Sequence, residues 1–174
     1  MTGGVLFWNY QYGTLLIYSV VMTQLGLKSL NKTALEDEWA SGATTYLGTT
    51  VSGYPNMFHI YGVHGPTLLS NGPSTVEVQG RWIADTIDKM ESQNIKYINP
   101  KAESAKAWKQ HILDLNNKTL FPTVKSTYMG GSIPDKVFEP VCYSGGIPAY
   151  KIEIRKALDE LNGFEVVKAD GTST

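Results

Sequence analysis

Residues 58–77 read FHIYGVHGPTLLSNGPSTVE, and how this stretch is read decides the fold. Phe58 to Gly62 alternates and follows Tyr54-Pro55-Asn56, which predicts a strand. The Gly- and Pro-rich run Val63 to Pro73 predicts a loop. Ser74 then stands as an N-cap, with Glu77 three residues on as its capping-box partner. Val76, Gly80, Ile83, Ile87 and Met90 recur at spacings of four and three, so a helix is predicted with these side chains inward, ending near Gln93-Asn94. A strand, a glycine loop and a helix N-terminus in succession make an α/β piece.

Outward from it, Lys96 to Ile98 reads as a short strand. Asn99-Pro100 opens a second helix with Pro at its first position, where the missing N–H costs nothing. Ala105, Trp108, Ile112 and Leu115 give that helix an apolar stripe, and Asn116-Asn117 stop it. Leu120 to Gly146 is loop-rich. A third helix runs from about Ala149 to Leu161, with Tyr150, Ile154, Leu158 and Leu161 inward, and Asn162-Gly163 as a left-handed stop. Phe164 to Val167 is a last strand, and residues 169–174 are a disordered tail. The fold class is α/β, strands plus three main helices.

The chain has 174 residues, 42% of them hydrophobic, which suits one ordinary domain. Charged residues are 18% and the net charge is -1, so the clustered basic face of a nucleic-acid binder is not expected. Cys142 is the single cysteine, which excludes an internal disulfide or thiolate cluster and points to a reducing, cytoplasmic setting. Residues 1–27 carry no charged side chain. Thr14 to Met22 reads as a buried strand or half of a membrane helix. Asn9, Gln11, Gly13 and Thr14 interrupt the roughly 20 apolar residues that a span needs, which argues against a membrane segment. No basic region precedes the apolar run as a signal peptide requires.

Chemistry has few places to sit. His59, His64 and His111 fall on the strand, the loop and the second helix without metal-ligand spacing. His59 reads as one face of its strand and His111 as a solvated helix residue. Cys142 beside Tyr143 reads as a small core residue, and Glu36-Asp37-Glu38 as a solvated turn. The helix N-terminus after the glycine loop is different. Its unpaired N–H groups favour an anion or an electron-rich carbonyl. Gly62, Gly65 and Gly72 would let backbone approach a flat ligand closely, as a flavin ring requires. A ligand-free turn is the alternative. No GxGxxG or GxxxxGKS occurs, so a pyrophosphate has no usual cradle here.

Several ordered blocks then bear on identity. Leu35-Glu36-Asp37-Glu38-Trp39 precedes Thr45-Tyr46-Leu47-Gly48; Tyr54-Pro55-Asn56-Met57-Phe58 precedes Gly62-Val63-His64-Gly65-Pro66. Leu69-Ser70-Asn71-Gly72-Pro73, Trp82-Ile83-Ala84-Asp85, Thr119-Leu120-Phe121, Gly130 to Pro134 and Tyr143 to Tyr150 follow in order. In this order and spacing, residues 23–167 resemble the C-terminal part of a Baeyer–Villiger flavin monooxygenase. The resemblance implies a discontinuous FAD-binding domain, one of two dinucleotide-binding domains, with residues 28–168 as its second part. It implies FAD and NADPH as cofactors and a small-molecule ketone as substrate, oxygenated next to its carbonyl to an ester or lactone.

By the same resemblance, Gly72, Asn71, Leu69 and the backbone of Val63 and His64 lie against the flavin. Thr127 and Tyr128, in the loop to Ser132, face the nicotinamide. Val63 stands where the family usually has Pro, Thr127 where it has Trp, and Ser132 where Asn is common. The family's FAD and NADP fingerprints lie upstream of anything in this chain, so no catalytic acid, base or nucleophile is assigned. Family members often carry Thr-Gly-Gly almost directly before a Leu-x-x-Leu stretch. Here the charge-free run separates Thr2-Gly3-Gly4 from Thr23-Gln24-Leu25, so residues 5–22 read as a foreign insert. An inactive remnant or accessory protein that binds a partner chain, such as a missing N-terminal half, is the other reading. A membrane-anchored module is a third.

Overall fold

The computed structural model describes residues 27–131 and 137–173; the insert and anchor readings of residues 5–22, and Ser132, lie outside them. Its sheet is one antiparallel pair, β1 (Ile95–Pro100) and β2 (Phe164–Lys168), in register from Pro100 opposite Phe164 to Ile95 opposite Lys168. A bulge between Ile95 and Tyr97 breaks the ladder once. Both predicted C-terminal strands are therefore present, and they pair with each other.

Among the described residues the pair is accompanied by four helices, α1 (Leu35–Glu38), α2 (Gly72–Ser92), α3 (Ala102–Asn116) and α4 (Ile147–Glu160). Short 3-10 turns occupy Phe121–Thr123 and Thr127–Met129. The Trp82 indole N–H of α2 donates to the Ile154 carbonyl of α4 at 2.7 Å. Lys89 donates to the Leu158 and Asp159 carbonyls at 2.7 and 2.8 Å, a cation on the electron-rich end of α4. Trp82 stacks on Phe164 and Trp108 on Tyr143, so sheet and helices share one core. A second cluster of Leu35, Trp39, Val51 and Tyr54 covers the N-terminal end of the described chain.

The predicted strand over Phe58 to Gly62 does not form. Phe58 makes a single bridge with Thr50, His59 donates its N–H to the Thr49 carbonyl at 2.8 Å, and Tyr61 turns left-handed at φ 60. Its partner is itself folded back, because Tyr46 and Thr50 also bridge, so no length of ladder is offered. His59 is accordingly not on a strand face. It is buried.

Helix α2 begins earlier than Ser74. Asn71 is the N-cap, extended at φ -90 and ψ 153, and its side-chain oxygen accepts the Ser74 N–H at 2.8 Å. Gly72 and Pro73 fill the first two positions, and Glu77 pairs outward with Arg81 at 2.7 Å instead of reaching back. Asn71→Ala is expected to lower unfolding stability by about 1 kcal/mol, while Asn71→Asp keeps it, as read from chemical denaturation. The inward face also differs. Thr75, Gln79, Trp82, Ile83 and Thr86 are buried, and Val76 is exposed.

Pro100 ends β1 opposite Phe164, so α3 starts at Ala102 with Lys101 as its cap. The left-handed stop of α4 is Leu161 (φ 54), not Asn162-Gly163, because Leu161 packs on the core while making the turn. Residues 169–173 turn back instead of fraying: Lys168 donates to the Thr172 carbonyl at 2.8 Å and Ala169 to the Asn94 carbonyl at 2.9 Å. Cys142 is buried, and burial pushes its thiol up to about 12, as befits a small core residue.

Candidate flavin-facing site

The loop from Gly62 to Asn71 is held from three sides. From the helix side, Gln79 is wholly buried: its Oε1 accepts the Tyr61 N–H at 2.7 Å, and its Nε2 donates to the Gly48 carbonyl at 3.2 Å and to the Tyr150 hydroxyl at 3.0 Å. Tyr150 donates in turn to the Leu47 carbonyl at 2.6 Å, and burial pushes its hydroxyl far above the ordinary tyrosine range. The Pro66 carbonyl accepts from Thr75 at 2.7 Å and also from Ser70. On a second side, Thr45 donates to the Val63 carbonyl at 3.3 Å and meets His64 Nδ1 at 3.1 Å. On the third, His64 donates its N–H to the Val141 carbonyl and Tyr143 donates to the Gly65 carbonyl, both at 2.9 Å.

This clamping sorts the expected flavin residues into two layers. Val63 and His64 are buried, and the carbonyl of one and the N–H of the other are spent inside the chain. They support the loop from beneath and do not offer these atoms to a ring. Leu69 and Asn71 are exposed and form the outer ledge, while Gly72 behind them is buried at the first helical position. Leu69 is left-handed at φ 60 with its residue 75% exposed. From Leu68 to Gly72, five successive backbone N–H groups find no acceptor among the described residues. Pro73 has no N–H to give. The run thus places donors without an acceptor among the described residues at the head of a 21-residue helix, with Leu68 and Gly72 at its two ends buried.

Thr127 and Tyr128 stand on the separate 3-10 turn, both exposed, with Tyr128 edge-on to Phe121 at 5.6 Å. Val141 brings this turn to the ledge. Its N–H donates to the Tyr128 carbonyl at 3.0 Å while its own carbonyl takes the His64 N–H. The two expected faces therefore meet through one residue that the sequence reading did not single out. Two concavities of about 490 and 390 Å³ lie elsewhere, one between α2 and α4 and one beside Trp108, and none of the seven expected residues lines either.

Among the described residues no three His, Cys, Asp or Glu side chains converge. His111 is not simply solvated: it lies 3.2 Å from Glu153, which also accepts from the Tyr143 hydroxyl at 2.8 Å. Glu36, Asp37 and Glu38 are exposed as expected, but on the one-turn helix α1 and not in a turn.

The chain is similar to known proteins in sequence and in fold. A protein described as FAD-binding monooxygenase acrE, from Aspergillus aculeatus, is 57% identical over 150 residues, covering 86% of this chain. A cyclohexanone 1,2-monooxygenase from Acinetobacter sp is 34% identical over 128 residues. The chain belongs to the Baeyer–Villiger-type flavin monooxygenase family. The crystal structure of a cyclohexanone monooxygenase from Rhodococcus sp. Phi1 bound to NADP+ superposes on this family member with a TM-score of 0.82 at 31% identity. It covers 87% of this chain and 28% of its own. No family model matches the chain. The Baeyer–Villiger segment spans about a quarter of the curated relatives it matches, 25% of the Aspergillus protein and 23% of the Acinetobacter enzyme. Among its described residues no helix is long and apolar enough to cross a membrane.

Proposed function

We propose that this segment supplies one wall of a flavin site in an FAD- and NADPH-dependent Baeyer–Villiger monooxygenase acting on a small ketone in the cytoplasm. The five successive N–H groups from Leu68 to Gly72, without an acceptor among the described residues, carry the reading. A flavin's pyrimidine edge is rich in acceptors and gains negative charge on reduction, and a helix head with free donors is built for that. Leu69, Asn71 and Gly72 would hold the ring edge, with Val63 and His64 beneath them as rigid support. Thr127 and Tyr128 would face the nicotinamide. The flavin, when bound, supplies the oxygen-activating chemistry, and this chain orients it and keeps its edge hydrogen-bonded.

A second reading has its own support. Leu120 is 80% exposed and Phe138 51%, with Val124, Tyr128 and Val137 also exposed in the same region of sequence. Apolar surface of this kind is expected where another polypeptide docks, whether the remainder of the enzyme or the partner of an inactive remnant. Purified chain separates the two. FAD retained through gel filtration, and weakened by Leu69→Asp with the helical signal intact, supports the flavin wall. A colourless chain that acquires FAD neither alone nor when co-expressed with the upstream part of a relative removes it.

A further inference from the structure

We infer that Glu139 is the positioning residue that couples the flavin-side ledge to the nicotinamide-side turn. The names of the two faces rest on the function proposed above; the coupling between them rests on geometry. Glu139 side-chain exposure is 13%, and its two oxygens are both used. Oε1 accepts the Ala43 N–H at 2.9 Å, and Oε2 pairs with Lys109 Nζ of α3 at 2.7 Å. Ala43 lies two residues before Thr45, which holds His64 Nδ1.

From Glu139 the chain runs to Val141, which joins His64 to Tyr128, and then to Tyr143, which donates to Gly65. One carboxylate therefore fixes α3, the segment before Thr45 and the strap that touches both faces. A half-buried ion pair with every oxygen satisfied specifies one arrangement, and loss of either partner leaves the other charge poorly solvated. Glu139 touches neither proposed cofactor face with its own side chain. Its effect passes through Val141.

The test is residue-resolved amide hydrogen exchange on the isotope-labelled chain. In Glu139→Gln the amides of His64, Val141 and Tyr143 are expected to exchange on the order of tenfold or more faster. Ile98, whose N–H is held by Asn56 Oδ1 at 3.0 Å and by no strap residue, is expected to keep its rate. Lys109→Met should release the same three amides, the double variant should add nothing further, and Lys109→Arg should restore protection. Unchanged rates at the three amides overturn the proposal. So does acceleration equal to that of Ile98, because that is ordinary destabilisation. FAD uptake is read separately: failure both alone and with the upstream part of a relative sinks the flavin reading, while the exchange pattern still decides whether Glu139 couples the two loops.

Discussion

Gly48→Ala is expected to cost on the order of 3 kcal/mol or more, enough to leave much of the chain unfolded at marginal stability. Two causes add at this position. Gly48 is left-handed at φ +63, where a side chain is strained. A Cβ there would also sit 2.6 Å from Gly65 Cα and 2.6 Å from the His64 carbonyl carbon, which are backbone atoms that no rotamer change can move aside. The loop that would have to give is the one fixed by Gln79, Thr45 and Val141. Gly171→Ala isolates the first cause, since Gly171 has φ +88 and open space around it, and about 1 kcal/mol is expected there. Urea denaturation of both variants measures the difference. Equal losses would mean that the 48 and 65 backbones are not in contact.

That contact explains what the sequence could and could not disclose. Apolar spacing finds α3 and α4 well, because their buried residues Ala105, Trp108, Ile112, Tyr150, Ile154 and Leu158 are the stripes it predicts. It fails on α2, where Thr75 and Gln79 point inward to bind loop carbonyls and a loop N–H. A period of apolar residues rotates away from such a face by construction. One signal was available: Gln79 lies three and four residues before Trp82 and Ile83, a polar residue on their side of the helix. A helix head after the glycine loop is legible in the sequence, although its cap is Asn71 and not Ser74; the flavin-facing role of Leu69 to Gly72 comes from the resemblance alone. Its supports were not legible. Glu139, Lys109, Thr45 and Val141 meet only because residues some 20 to 100 positions apart converge, and no spacing along the chain encodes that.

The second large effect is acid lability. His59 and His64 are both buried, and burial holds their pKa values at about 4 and about 3, against an ordinary 6.5. For His64 the Lys109 ammonium and His59 add repulsion to any new positive charge. Above the ordinary value both residues are neutral in the folded and unfolded chain, so they leave stability unchanged with pH. Below it the unfolded chain takes up two protons that the fold refuses, and stability falls as pH falls. From about pH 7.5 to about pH 5 the loss is roughly 2 kcal/mol per histidine, growing further toward pH 4. Urea midpoints should drop steeply over this interval with an unchanged slope. His59→Gln or His64→Gln, although each starts less stable, should show about half the pH dependence of the native chain. A midpoint that stays level from neutral pH to about pH 5 would mean that the two imidazoles are open to water, and that the loop beneath the ledge is not the closed support its hydrogen bonds describe.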